Sequence, residues 1–307
     1  MRLLTFSMDD EQRLGVVEGN FVIDLERAFK EFQNNRGSEE NSHPSFPSNM
    51  LAFLQSSDKT WQSMGEVLTW VMTKEADPVF KSIAIHLDRV TILAPLSNPS
   101  KVIGIGLNYA DHCREQNILL PESILLFAKF PSSIIGPNES IKWDTEMSKE
   151  VDYEAELGVI IGREAFRIEP EEAWDYIAGY SIVNDVSARD VQFTDRQWVR
   201  GKSFNTFCPI GPYLITRDEI ENPHNLGIRT RLNGQLVQNS NTKEMVFKIP
   251  EIIAFISKSI TLVPGDIICT GTPDGVGYFR DPKILLKPGD IVEIEIDGLG
   301  SLRNPVE

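Results

Sequence analysis

The run VDYEAELG, residues 151–158, constrains the fold more than any other stretch of the chain. Val151, Tyr153, Ala155 and Leu157 alternate with Asp152, Glu154, Glu156 and Gly158. Alternation at period two predicts a strand with one apolar and one polar face, so the molecule must contain a sheet with a core on one side. On such a strand Glu154 and Glu156 stand on the same face, roughly 7 Å apart. A second predicted strand, GYSIVN (residues 179–184), runs directly into Asp185. If the two strands are neighbours, three carboxylates meet at one end of a sheet, where they resist ionising together unless a cation compensates them. A hard divalent ion held by oxygen ligands is the economical reading, with magnesium, manganese and calcium as candidates.

The same spacing has a plainer meaning, and the chain supplies its own example. In IVEIEIDG, Glu293 and Glu295 repeat the pattern near residue 300, and a Glu-x-Glu strand is usually the wet face of a half-exposed sheet. Context separates the two runs. The first is followed by Asp185, Arg189, Gln192 and the lysine-bearing stretch WVRGKSFNTF, the second by a short tail.

Upstream, KVIGIGLNYADHCREQN predicts a buried strand over residues 102–105, a Gly106–Tyr109 turn and a helix from near Asp111. His112 and Glu115 lie three apart on that helix and so share a face. A carboxylate beside an imidazole keeps it basic and oriented for proton transfer, although an exposed i,i+3 pair has the same spacing. LLFAKF places Lys129 at the end of an apolar strand. Downstream, LVPGDII and LKPGDIV echo one another, each a Pro-Gly turn feeding a strand. Between them CTGTPDGVG has glycines that admit close backbone approach, with N–H groups and Thr272 able to hold an anion.

Residues 1–96 predict a small lobe of strands and helices. A hairpin turns at Glu18-Gly19-Asn20, and Leu25, Ala28, Phe29 and Phe32, then Trp61, Met64, Leu68 and Val71, form helical stripes that read as core. Residues 34–49 are polar with Pro and Gly and predict a flexible loop. His43 and His86 have no plausible partners and read as structural or surface residues. The proline-bearing APLSNPSK marks the boundary, which gives a small domain over 1–96 and a larger one over 97–307. In the larger one, Asn233-Gly234 predicts a hairpin, residues 249–260 an amphipathic helix, and the whole a β-dominated α+β architecture rather than alternating βα units.

The net charge of −15 argues against nucleic acid and anionic membranes as partners. No apolar run approaches the ~18 residues of a membrane span. The start turns acidic at once, unlike a signal or transit peptide. Cys113, Cys208 and Cys269 lack zinc or disulfide spacing and read as free thiols of a reducing, cytoplasmic compartment.

The stretches GLNYADH, VDYEAELGVIIGR, GYSIVNDVSARDVQ, WVRGKSFNTFCPIGP, MVFKIPEII, TLVPGDIICTGTPDGVG and LKPGDIVEIEIDGLG together resemble the fumarylacetoacetate hydrolase family from about Lys101 to Val306. More narrowly, the chain resembles the bacterial branch that carries a small N-terminal domain. The resemblance implies a mixed β-sandwich roll that dimerises, preceded here by a small α/β domain. It places metal ligands on Glu154, Glu156 and Asp185, with one magnesium or manganese ion per subunit. It places the catalytic His and its Glu partner on His112 and Glu115, in a lid segment that orders over substrate. Lys202 joins them as a catalytic residue, and Lys129, Arg189, Gln192 and Thr272 as substrate contacts. One departure shows: Asn205 stands where the family motif has Asp, a change that bears on the environment of Lys202.

The implied chemistry is a metal-stabilised enolate. A 2-oxo acid chelates the ion, His112 with Glu115 deprotonates a water, and an acylpyruvate or fumarylpyruvate-like diketo acid loses its C–C bond. Oxaloacetate decarboxylation and oxo-acid isomerisation pass through the same enolate and are the alternatives. Loss of His112 is expected to abolish hydrolysis and mostly spare decarboxylation. A metabolite-binding protein without turnover is the reading from a different class. The natural substrate is not written in any of these motifs.

Overall fold

A computed structural model of the chain describes residues 1–36, 46–74 and 77–307. His43 and most of the expected loop at 34–49 lie outside the described residues.

The expected strand over 151–158 is broken. Val151–Asp152 and Ala155–Ile161 are separate strands, with Tyr153 and Glu154 between them in neither. Every residue of Ala155–Ile161 is buried, so the alternation does not mark a wet face. It sorts side chains between two interiors. Leu157, Val159 and Ile161 enter one core and Ile160 the other.

The strand sits near the middle of a 12-stranded mixed sheet. On one side it pairs antiparallel with Ile177–Asn184, Ala155 opposite Asn184 and Glu156 opposite Val183. On the other it pairs with Ile267–Cys269, which lies parallel to Val102–Gly106. One end of this four-strand group therefore collects the start of one strand, the end of its neighbour and the exits of two parallel strands. Chain leaving those ends carries Asp185, Thr272 and His112.

A four-stranded antiparallel sheet, ordered Gln235–Asn241, Gly227–Leu232, Ile291–Ile296 and Gly300–Pro305, packs across the first core. The hairpin between the first two turns at Asn233 and Gly234, with φ of 52° and 81°. Ile249–Ser257 is helical as expected, and its inward residues Ile249, Ile252, Ile253 and Ile256 join the same core. This is the expected β-dominated fold.

The opposite face is covered by residues 1–96. Arg2–Met8 pairs antiparallel with Cys208–Thr216 and continues the large sheet outward. Helices Leu25–Asn35, Met50–Leu54 and Asp58–Met72 place Ala28, Phe53, Met64 and Val71 in a cluster with Ile160, Val183, Leu214 and Ile267. The lobe read from the sequence as separate thus shares a sheet and a core with residues 97–307. His86, outside that core, accepts from its own neighbour Asp88 N at 3.4 Å and stacks edge-on to Phe21.

Candidate active site

Glu154, Glu156 and Asp185 come together, each offering an oxygen within 4.8 Å of the others, and all three are buried. The strand break makes this possible. Asp185 N donates to Glu154 O at 2.9 Å just past the last ladder pair, so the two acids flank the end of the strand pair while Glu156 points in from within it. The contrast with the second Glu-x-Glu is now physical. Glu295 is exposed and within 3.3 Å of Arg229, and Glu293 accepts from Ser301.

The acids are partly compensated by fixed cations. Lys202 Nζ bridges Glu154 Oε2 at 2.8 Å and Asp185 Oδ2 at 2.7 Å. Lys129 Nζ donates to Asp185 Oδ1 at 2.6 Å and to the Lys202 carbonyl. Arg189 Nη1 reaches Glu154 Oε1 at 2.6 Å and its other edge grips Asp152. Burial opposes ionisation of Glu154, but Lys202 and Arg189 overrule it and hold its carboxyl down at about 2. Glu156 goes the other way. Burial, then the charges of Asp185 and Glu154, push it well above the carboxylate range, against the Gly271 N–H bonded to it at 2.8 Å. Burial lowers the Lys202 ammonium pKa less than Asp185 and Glu154 raise it, so it stays charged. Four buried carboxylates, counting Asp152, face three cations. A trio of hard oxygen donors with one acid left uncompensated suits a divalent cation.

The Gly-rich loop after Cys269 does something other than expected. Three of its N–H groups are taken by the protein's own acids. Gly271 N holds Glu156, Gly275 N holds Glu115 Oε1 at 2.9 Å, and Gly277 N holds Asp152 Oδ1 at 2.7 Å. Gly277 is required there, because a Cβ would lie 1.9 Å from Ile284 O. Of the expected anion donors in this loop, Thr272 alone faces the cavity. Its oxygen accepts from Gln238 Nε2 at 3.0 Å, leaving its hydrogen to donate inward.

His112 and Glu115 share the helix Ala110–Glu115, and Nδ1 lies 3.1 Å from Glu115 Oε2. The segment stands closed over the site. Asn108 donates to Thr270 O at 2.8 Å, Asp111 accepts from Ser240, and Arg114 pairs with Glu244 at 2.9 Å. His112 is 6% exposed. Beneath it lies a cavity of about 120 Å³ lined by His112, Gln116, Glu154, Glu156, Arg189, Gln192, Lys202 and Thr272, with Phe127, Trp198 and Phe279 among its walls. Gln192 Oε1 accepts from Arg189 at 3.2 Å, which leaves its NH₂ to donate. A larger cavity of about 870 Å³ in the first lobe shares none of these residues.

Lys129, expected as a substrate contact, is fully buried against Asp185 and is not among the residues that line the cavity. Asn205 is exposed, and the Lys202 ammonium is held by Glu154 and Asp185 instead. Three site residues escaped sequence reasoning. Asp152 has the same parity as Glu154 and Glu156, a signal that was present. Gln238 and Gln116 have no local signal, since nothing in a lone Gln reveals a partner.

Among known proteins, residues 101–307 match the family described as fumarylacetoacetate (FAA) hydrolase, C-terminal. The chain is 44% identical over 313 residues to a protein of Xenopus laevis named oxaloacetate tautomerase fahd2, mitochondrial, covering 100% of this chain and 90% of that one. Among solved structures, the fumarylacetoacetate hydrolase of psychrophilic Exiguobacterium antarcticum aligns with a TM-score of 0.80 at 35% identity, covering 100% of this chain and 99% of that one. A maleylpyruvate hydrolase of Sphingobium sp. SYK-6, in complex with manganese(II) and pyruvate, aligns at 0.76 with 29% identity, covering 100% and 98%.

Proposed function

Since the chain belongs to the fumarylacetoacetate hydrolase family, we propose that it is an enzyme interconverting the keto and enol forms of oxaloacetate or a closely similar 2-oxo dicarboxylate. Acylpyruvate hydrolysis, the first expectation from sequence, becomes the second reading. The observation that carries the proposal is the cavity. At about 120 Å³ it is small and walled by Phe127, Trp198 and Phe279, which suits a compact four-carbon diacid better than a longer acyl chain. The relative named oxaloacetate tautomerase supports the same choice, and the neighbour named maleylpyruvate hydrolase supports the second.

Glu154, Glu156 and Asp185 are the residues that would hold a magnesium or manganese ion, one per subunit. Bound there, it supplies Lewis-acid stabilisation of negative charge on the 2-oxo oxygen. The remaining work falls to side chains. Thr272 and the Gln192 amide, both arranged as donors, bind and orient a substrate carboxylate, with Arg189 fixing Gln192. His112, oriented by Glu115 at 3.1 Å, takes a proton from the carbon next to the keto group, a service typically worth ~10²–10⁴-fold. Lys202 places a fixed positive charge beside the developing enolate oxygen, and such preorganised charge is commonly the larger contribution. Closure of the Ala110–Glu115 segment excludes water, so the return of the proton is left to His112.

The family resemblance implies a homodimer, to be checked by light scattering against the 34.6 kDa chain mass. The three free, buried cysteines suit a reducing compartment. The Xenopus relative's name places it in mitochondria, which are as consistent with that as the cytoplasm. Among the described residues no helix is long and apolar enough to cross a membrane.

The test is to strip the protein of metal, restore manganese or magnesium, and offer enol-oxaloacetate and an acylpyruvate in parallel. Loss of enol absorbance and release of pyruvate are followed in both. Metal-dependent ketonisation of oxaloacetate faster than acylpyruvate cleavage, without pyruvate release, is expected. Pyruvate from oxaloacetate would make it a decarboxylase, faster acylpyruvate cleavage would restore the hydrolase, and silence on both would favour a binding protein.

A further inference from the structure

His112 is engaged on both ring nitrogens. Nδ1 meets Glu115 Oε2 at 3.1 Å, and Nε2 meets the amide nitrogen of Gln116 at 2.7 Å. An amide NH₂ donates and never accepts. Nε2 is therefore the acceptor, and the ring hydrogen sits on Nδ1 facing Glu115. Glu115 is itself fixed by Gly275 N, so the orientation of the imidazole is set from both sides.

In this tautomer Nε2 carries the lone pair that can take a proton. A hydrolytic water activated by His112 has to stand within hydrogen-bond reach of that atom, about 2.6–3.2 Å away. The Gln116 amide nitrogen already occupies such a place, and Gln116 lines the same cavity. We propose that Gln116 is a positioning residue that decides between the reactions open to the enolate. By filling the water's place on His112, it suppresses C–C hydrolysis and leaves proton transfer to and from the substrate. The inference rests on the oxaloacetate reading of the site.

The balance of each step shows why the two reactions part here. In hydrolysis a water gives a proton to Nε2 and its oxygen bonds to the distal carbonyl carbon of an acylpyruvate. The C–C bond to the adjoining CH₂ then breaks, and its electron pair becomes the pyruvate enolate. The imidazolium returns the proton to that CH₂ carbon, releasing a carboxylic acid and pyruvate. Tautomerisation needs no water. The substrate's own CH₂ gives a proton to Nε2, and the imidazolium returns it to the enolate oxygen. Contacts to the substrate carboxylates provide the binding energy that displaces the Gln116 amide; a lone water has no such contacts.

Gln116→Ala, which empties the place, and Gln116→Met, which fills it without an N–H donor, test this in the full-length protein loaded with magnesium. The first readout is the ratio of acylpyruvate cleavage to oxaloacetate tautomerisation. The second is the ¹⁵N chemical shift of His112 Nε2. Gln116→Ala is expected to raise the ratio at least tenfold. Gln116→Met is expected to keep it within about threefold of the parent, and the Nε2 shift is expected to change in both. An unchanged ratio in Gln116→Ala, or an unmoved Nε2 signal in a folded Gln116→Met, overturns the proposal. If the parent turns over neither substrate, the oxaloacetate reading fails. The Nε2 shift then decides by itself whether Gln116 holds the lone pair.

Discussion

Asp152 ties more of the site together than any acid that touches the cavity. Its Oδ2 accepts from Arg189 Nε and Nη2 at 3.0 and 2.8 Å and from Tyr278 N at 3.0 Å, and Oδ1 accepts from Gly277 N and Tyr153 N. Burial pushes its carboxyl pKa up and Arg189 works against that. Asp152→Asn leaves a guanidinium that is 3% exposed with one partner fewer, and breaking a buried pair of this kind costs about 3–5 kcal/mol. Urea unfolding of the metal-free protein should show a loss of that order, together with a raised KM for oxaloacetate, because Arg189 no longer fixes Gln192. A loss below about 1 kcal/mol, the range of exposed pairs, would show that the clamp is not needed. At this scale the sequence was readable where residues repeat at a fixed period. Glu154 and Glu156 could be singled out by their period-two spacing, and Asp185 because it follows directly on a predicted strand. Residues whose partners come from distant chain, such as Asp152 with Arg189 or Gln238 with Thr272, were not, because no local rule links positions that only the fold brings together.

Strands and helices were placed well where their patterns were long, and misjudged where the pattern was asked what lies outside it. The run at 151–158 reads as one strand because alternation continues through Tyr153 and Glu154, yet pairing stops there. What the alternation encodes is two cores, and a strand buried on both faces cannot be told by period alone from one wet on a single face. The Gly-rich loop was expected to offer N–H groups to an anion, and the carboxylates that three of them hold are side chains of the same chain. The helix Ile249–Ser257 carries a testable pH effect. His224 Nε2 accepts from Ile249 N at 3.1 Å at the start of the helix. Burial and then Lys248 lower its pKa below the ordinary value of about 6.5. A histidine held neutral when folded stabilises fully above pH ~6.5, and that contribution is lost as pH falls through the folded value. The stability advantage of the parent over His224→Gln should therefore be greatest at pH 8 and shrink towards pH 5 in thermal unfolding. A gap that stays constant over that range would show that His224 acts only by packing.

Across the whole molecule, the lobe before the boundary near residue 96 shares a sheet and a core with the family domain that follows it. Hydrophobic stripes at residues 61–71 showed that the first lobe has a core face, but not what it packs on, since a stripe names no partner. The partner is the large sheet. Removing residues 1–96 strips Leu214 and Ile215 of the strand opposite them and uncovers Ile160, Val183 and Ile267. An open sheet edge beside exposed apolar surface invites aggregation. Residues 97–307 alone should elute as aggregates on size exclusion, and the intact chain should unfold in a single cooperative transition. A soluble fragment with its own sharp transition would contradict this. Finally, the cations of the site are buried and each faces a carboxylate, while the chain as a whole carries −15. A dianionic substrate therefore approaches a chain of net negative charge, whose repulsion ions in solution screen over about 8–10 Å. Most enzymes acting on anions slow down as salt is added; here kcat/KM for oxaloacetate should rise between 10 and ~150 mM salt, so that each productive encounter is gained by diffusion against the field and held only after the substrate is inside.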